Sequence, residues 1–278
     1  MKLVTYRPSP ERAPRVGCVE DGRVAELDVP DMVELIAAGR DEAERLRASA
    51  RMGPTLGEVT LLAPVPQPPK VIGIGLNYRD HAEETGSKLP EEPIVFAKFS
   101  SSVCGPGHPI RIPAITERAD YEAELGVVMG GPAKRVSVEK ALDHVFGYVN
   151  VNDVSARDLQ LAAPGKQWTR SKSIDTFAPC GPWILTSDEV PDPQALSVRC
   201  RLNGEIMQDS TTAEMVFTVA ELVSFLSQGM TLGPGDLIAT GTPAGVGFTR
   251  EPPVLLKAGD EVTVEVDGLG TLSNPVEA

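Results

Sequence analysis

Nothing in this chain approaches the roughly 20 consecutive apolar residues that span a bilayer. The opening MKLVTYRPSPER also lacks the apolar stretch of a signal peptide. A cytoplasmic protein with no membrane contact is therefore expected. Cysteine is sparse and dispersed. Cys18, Cys104, Cys180 and Cys200 form no C-x-x-C pair, which removes zinc-site spacing, suits a reducing compartment and predicts small buried residues. Positive charge is in deficit, with 26 Lys and Arg against 39 Asp and Glu and a formal net charge of −13. That balance argues against nucleic acid or an anionic membrane, since both require a basic face, and leaves a small molecule or a protein as partner. Internal repeats and low-complexity tracts are lacking too.

What the chain does have is punctuation. Its 278 residues carry 25 prolines and 26 glycines, spread between short alternating apolar segments, and 41% of residues are hydrophobic. This composition describes many short strands, tight turns and a well-buried core, a mainly β chain with some α (α+β). Helices are few. PDMVELIAAG opens with Asp31 as N-cap and Glu34 three residues on, a capping-box arrangement that Gly39 can end. FTVAELVSFLSQG repeats the device with Thr218, Glu221 and Gly229, and a third helix is expected in SVEKALDHVF after Ser137. The proline stretch LLAPVPQPPK at 61–70 reads as a linker, dividing a small N-terminal unit (1–65) from a larger one (66–278).

The blocks that carry chemistry follow that linker. In KVIGIGLNYRDHAEETG a strand ends in G-x-G, yet Tyr78 stands where a dinucleotide fingerprint has its third glycine, and no βαβ alternation follows. Further on, His81 and Glu84 are three apart and share a face if the segment is helical. A carboxylate beside an imidazole fixes its tautomer, which is how a general base is built. A solvated surface pair is the alternative. In ADYEAELGVVMGG, Asp120, Glu122 and Glu124 take the i, i+2 spacing of one strand face, with Tyr121, Ala123, Leu125 and Val127 on the other. Such crowding requires either water or a cation. VFGYVNVNDVSARDLQ is an apolar strand meeting Asp153 at its end. Together Glu122, Glu124 and Asp153 would make an all-oxygen site of the kind Mg²⁺ or Mn²⁺ prefers, against a solvated outer sheet face as the alternative. KQWTRSKSIDTFAPCGP adds Lys166, Arg170 and Lys172 to an acidic protein. DLIATGTPAGVG leads a strand into a glycine-rich loop whose N–H groups can cradle a carboxylate. His108 and His144 lie apart from these blocks and read as a loop residue and a helix-surface or packing residue.

In combination and order, from about residue 70 to the end, GLNYRDHAEE, DYEAELGVVMG, GYVNVNDVSARDLQ, WTRSKSIDTFAPCGP, LNGEIMQDSTTAEMVF and DLIATGTPAGVG resemble the fumarylacetoacetate hydrolase superfamily. That resemblance implies a mixed β-roll or sandwich with a small N-terminal domain, and a homodimer. It implies that Glu122, Glu124 and Asp153 bind a divalent metal, Mg²⁺ or Mn²⁺, with Asp120 outside the set. His81 and Glu84 match the catalytic pair on a short lid, and Lys172 the active-site lysine. Arg157 and Gln160 match positions lining the substrate site, and Thr242 matches the threonine that holds the substrate carboxylate. No acid stands in PKVIGIGLNY, where relatives cleaving fumarylacetoacetate itself carry an extra ligand.

The implied substrate is a small keto acid and the implied reaction is hydrolysis of a C–C bond in a 2,4-diketo (acylpyruvate-like) acid, releasing pyruvate and an acid. Oxaloacetate decarboxylation and hydroxymuconate-type isomerisation rank second and third, because each passes through a comparable enolate. A keto-acid sensor or silent scaffold would be expected if any of these residues were replaced, and none is.

Overall fold

The computed structural model describes all 278 residues. Its strands of three or more residues, in chain order, are β1 (Lys2–Arg7), β2 (Arg15–Glu20), β3 (Arg23–Leu27), β4 (Met52–Thr55), β5 (Val71–Gly75), β6 (Ile94–Lys98) and β7 (Ala123–Met129). They continue with β8 (Val145–Asn152), β9 (Ala178–Thr186), β10 (Ser197–Leu202), β11 (Glu205–Thr211), β12 (Leu237–Ala239), β13 (Glu261–Val266) and β14 (Thr271–Glu277). The helices are α1 (Met32–Ala38), α2 (Arg40–Ser49), α3 (Arg79–Glu84), α4 (Val138–Ala141), α5 (Trp168–Lys172) and α6 (Val219–Gly229). Strands dominate, as the composition implied.

The main sheet runs β4-β3-β2-β1-β9-β8-β7-β12-β5-β6, and a second runs β11-β10-β13-β14 with Ile110–Arg111 on its edge. Alternation along β7 and β8 explains how the layers stack. Leu125, Val127 and Tyr148 join Val198, Cys200, Val264 and Leu272 in the core between the sheets. Val128, Val149 and Val151 point the other way, onto Leu35 and Ile36 of α1. Both faces of these central strands are thus buried, which is why they read as near-continuous apolar runs.

The first sixty residues add strands to the same sheet. β1 pairs with β9, Leu3 opposite Ile184, and its side chains share a core with Phe146 and Val151. The helices follow their caps. Asp31 accepts from the Glu34 N–H, but Glu34 does not reciprocate, so this is half a capping box. At α6 the box between Thr218 and Glu221 is complete. The third predicted helix, α4, lasts one turn before a 3₁₀ turn at Leu142–His144.

Pairing also fixes where chemistry gathers. Ala123 stands opposite Asn152, so the start of β7 meets the end of β8, and the Asp153 N–H donates to the Glu122 carbonyl at 2.9 Å. β12 lies antiparallel to β7 and parallel to β5. The 240–249 loop and α3 consequently emerge at the same end of the sheet.

Candidate active site

The acidic strand is not continuous. A short bridge at Ala119–Asp120 stops before Glu122, and β7 begins at Ala123. Asp120 therefore leaves the row: it accepts from Arg157 Nε at 2.9 Å and from the N–H groups of Tyr121, Gly247 and Phe248. The solvated-face alternative is overturned, since Asp120, Glu122, Glu124 and Asp153 are all buried. The cavity that Glu122 and Glu124 line measures about 340 Å³, and His81, Arg157, Gln160, Lys172 and Thr242 line it too.

Burial forces these charges to pair. Lys172 Nζ donates to Glu122 Oε2 (2.7 Å), Asp153 Oδ2 (2.7 Å) and Ser155 Oγ (2.8 Å). Arg157 Nη1 reaches Glu122 Oε1 at 2.7 Å and Gln160 Oε1 at 2.8 Å, while its buried Nη2 has no partner. Burial opposes ionisation of Glu122, but Lys172 and Arg157 outweigh it and hold the carboxyl down to about 2. Burial and then Asp153 and Glu122 push Glu124 well above the usual carboxylate range. The Lys172 ammonium is held above its ordinary value by Asp153 and Glu122 despite its burial.

Glu122, Glu124 and Asp153 each offer an oxygen, all within 4.8 Å of one another. Three hard-oxygen donors at that spacing fit Mg²⁺ or Mn²⁺, and a dication there would oppose the burial and like charges that push Glu124 up.

Over this cluster sits α3. His81 Nδ1 lies 3.1 Å from Glu84 Oε2, and the other Glu84 oxygen accepts from the Gly245 N–H and the Thr249 hydroxyl. Those hydrogen bonds together keep the Glu84 carboxyl below its usual value against the effect of burial. An ionised carboxylate can only accept, so Nδ1 carries a proton; in the neutral imidazole the lone pair is then on Nε2, which has no protein partner.

The glycine-rich loop does cradle carboxylates, but they are the protein's own. The Gly241 N–H donates to Glu124, Gly245 to Glu84 and Gly247 to Asp120. Gly245, at φ 100° and with Met207 O 2.1 Å from where a Cβ would stand, admits no side chain. Thr242 donates its hydroxyl to the Ala123 carbonyl and accepts from Gln208 Nε2, so holding a substrate would require its O–H to turn. Lys166 and Arg170 are exposed and stand apart, as do His108 and His144. All four cysteines are free and buried.

Two participants escaped the sequence reading. Gln208 ties Thr242 to the Ala123 N–H, and nothing local marks it. Lys98 donates to Asp153 Oδ1 at 2.6 Å with its side chain fully buried; a lysine closing the apolar strand IVFAK was the available signal.

A β-rich fold that gathers a base over buried carboxylates at one sheet end defines an acid–base enzyme. Residues 70–277 match the fumarylacetoacetate (FAA) hydrolase C-terminal family, and the chain belongs to it. It is 43% identical to the mitochondrial oxaloacetate tautomerase of Xenopus laevis over 99% of this chain and 90% of that one. Among solved structures it resembles the fumarylacetoacetate hydrolase of Exiguobacterium antarcticum at TM-score 0.88, with 39% identity, 100% of this chain and 99% of that one covered. The 5-carboxymethyl-2-hydroxymuconate delta-isomerase of Mycobacterium smegmatis is similar at TM-score 0.81 and 35% identity, again with 100% of this chain and 99% of that one covered.

Proposed function

We propose that this chain moves a proton at the carbon beside the oxo group of a small 2-oxo acid, with keto–enol tautomerisation of oxaloacetate as the reaction the site supports best. The observation that carries the reading is the free Nε2 of a carboxylate-oriented His81 in the same cavity as the buried triad. Likeness to an oxaloacetate tautomerase along nearly the whole chain supports it. So does the unpartnered Nη2 of Arg157, a donor suited to a second carboxylate.

Neutral His81 takes a proton from C3, and the electron pair moves to the 2-oxo oxygen. The imidazolium, stabilised by ionised Glu84, then returns the proton to that oxygen and leaves the enol. Lys172 stabilises the charge that develops on oxygen, and Arg157 with Gln160 orients the substrate. A divalent cation held by Glu122, Glu124 and Asp153, Mg²⁺ or Mn²⁺, supplies Lewis-acid polarisation of the oxo group.

Hydrolysis of a 2,4-diketo acid, first in order from the sequence, becomes the second reading, supported by the likeness to a fumarylacetoacetate hydrolase. There His81 takes its proton from water, hydroxide adds at C4, and the C3–C4 bond breaks to pyruvate enolate and an acid.

The deciding assay follows enol absorbance and pyruvate release from oxaloacetate and acetylpyruvate, with EDTA and then with Mn²⁺ restored. Keto–enol exchange above the spontaneous rate without pyruvate supports tautomerisation. Faster pyruvate release from acetylpyruvate moves the protein to the hydrolases, and pyruvate from oxaloacetate to the decarboxylases. A homodimer belongs to the same proposal; light scattering from a fully active monomer would remove it.

A further inference from the structure

Lys98 takes no part in the mechanism above and is absent from the lining of the catalytic cavity, yet its side chain is fully buried behind Asp153. Its Nζ meets three acceptors: Asp153 Oδ1 at 2.6 Å, the Phe177 carbonyl at 3.0 Å and the Val154 carbonyl at 3.5 Å. Burial pulls the Lys98 amine below its ordinary value, but the short contact with Asp153 opposes this and favours the ammonium. Asp153 thus lies between two lysines, Lys98 on Oδ1 and Lys172 on Oδ2.

The formal charges around the site follow. Asp120, Glu122, Glu124 and Asp153 contribute four negative charges, and Arg157, Lys172 and Lys98 three positive ones, all on buried side chains. With all four carboxyls ionised around a bound dication the net is +1, a charge that receives an anionic 2-oxo acid. Without Lys98 the same loaded site would be neutral.

We propose that Lys98 is a positioning residue that acts through Asp153, setting the site's charge so that the cation-loaded pocket is positive and attracts an anionic substrate. Lys98 weakens cation binding and strengthens binding of the anion that follows. A lysine that only filled space would not move the two affinities in opposite directions. The inference rests on the triad being a cation site.

The test is calorimetry of the full-length protein with Mn²⁺ alone, then of Mn²⁺-saturated protein with oxalate, for wild type, Lys98→Met and Lys98→Gln. Expected in both variants are Mn²⁺ binding at least threefold tighter and oxalate binding at least tenfold weaker. Affinities that stay put, or move in the same direction, overturn the proposal. Failure of both variants to fold at saturating Mn²⁺ also overturns it, by making Lys98 a support of the fold alone. If wild type itself binds no Mn²⁺, the cation site and the proposed function fall instead.

Discussion

Glu84 accepts from His81 with one oxygen and from Gly245 and Thr249 with the other, so it anchors the base to the loop as well as fixing its tautomer. General-base contributions run at about 10²–10⁴-fold. His81→Asn should therefore lower kcat by at least about 100-fold and leave Mn²⁺ affinity unchanged, because His81 lies outside the triad. Near-normal turnover in that variant would end the mechanism. Glu84 also carries a pH signature. Its folded carboxyl lies below the ordinary value, since the hydrogen bonds together outweigh burial. The stability it contributes is complete above the unfolded value of about 4.3 and is lost as pH falls through the folded one. Melting scans between about pH 6 and 3 should show Tm falling more steeply in wild type than in Glu84→Gln; equal slopes would contradict this. At this scale the sequence displayed His81 with Glu84 and Glu122 with Glu124, because helix and strand spacing place each pair, and Asp153 at the end of its own apolar strand. It concealed the pairing of Lys98 with Asp153 and of Asp120 with Arg157, because a partner 55 or 37 residues away leaves no local trace.

Among the elements, the two capping signatures have different outcomes for a local reason. Glu221 reaches back to the Thr218 N–H at 2.7 Å and its hydroxyl at 2.8 Å, whereas at α1 only the forward Asp31 bond forms. Loss of an N-cap side chain costs about 1 kcal/mol. In a chain of this size Thr218→Ala should lower Tm by about 2–4 °C, with catalysis intact, since α6 supplies no group to the cavity. Calorimetric melting beside the turnover assay checks both halves. The acidic strand was legible as alternation, and its apolar positions do fill the core. Its interruption after Asp120 was not, because the break is imposed by Arg157 and the Gly247 and Phe248 amides, which belong to distant loops.

Across the whole molecule, the proline stretch is a boundary in sequence that the sheet ignores. Thr5 donates to the Pro64 carbonyl at 2.6 Å and β1 continues the sheet through β9, pairings no local pattern announces. Beginning the chain at residue 66 would uncover Phe146, Val149, Val151 and Ile184, which pack in one cluster with Leu3, Leu35 and Ile36. Each such side chain is worth about 1.5–3 kcal/mol when fully buried. Four of them sum to about 6–12 kcal/mol, comparable with the entire stability of a typical domain at about 5–15 kcal/mol. Residues 66–278 expressed alone should therefore fail to give a cooperative melt and should aggregate through the exposed β9 edge. A soluble fragment melting at the full-length Tm and retaining turnover would show instead that the N-terminal strands are dispensable. The active-site residues would then be held by the second sheet, α6 and the loops at the end of β12 alone. Only the first outcome agrees with a catalytic end built on strands, β7 and β8, whose opposite face is covered from the N-terminus.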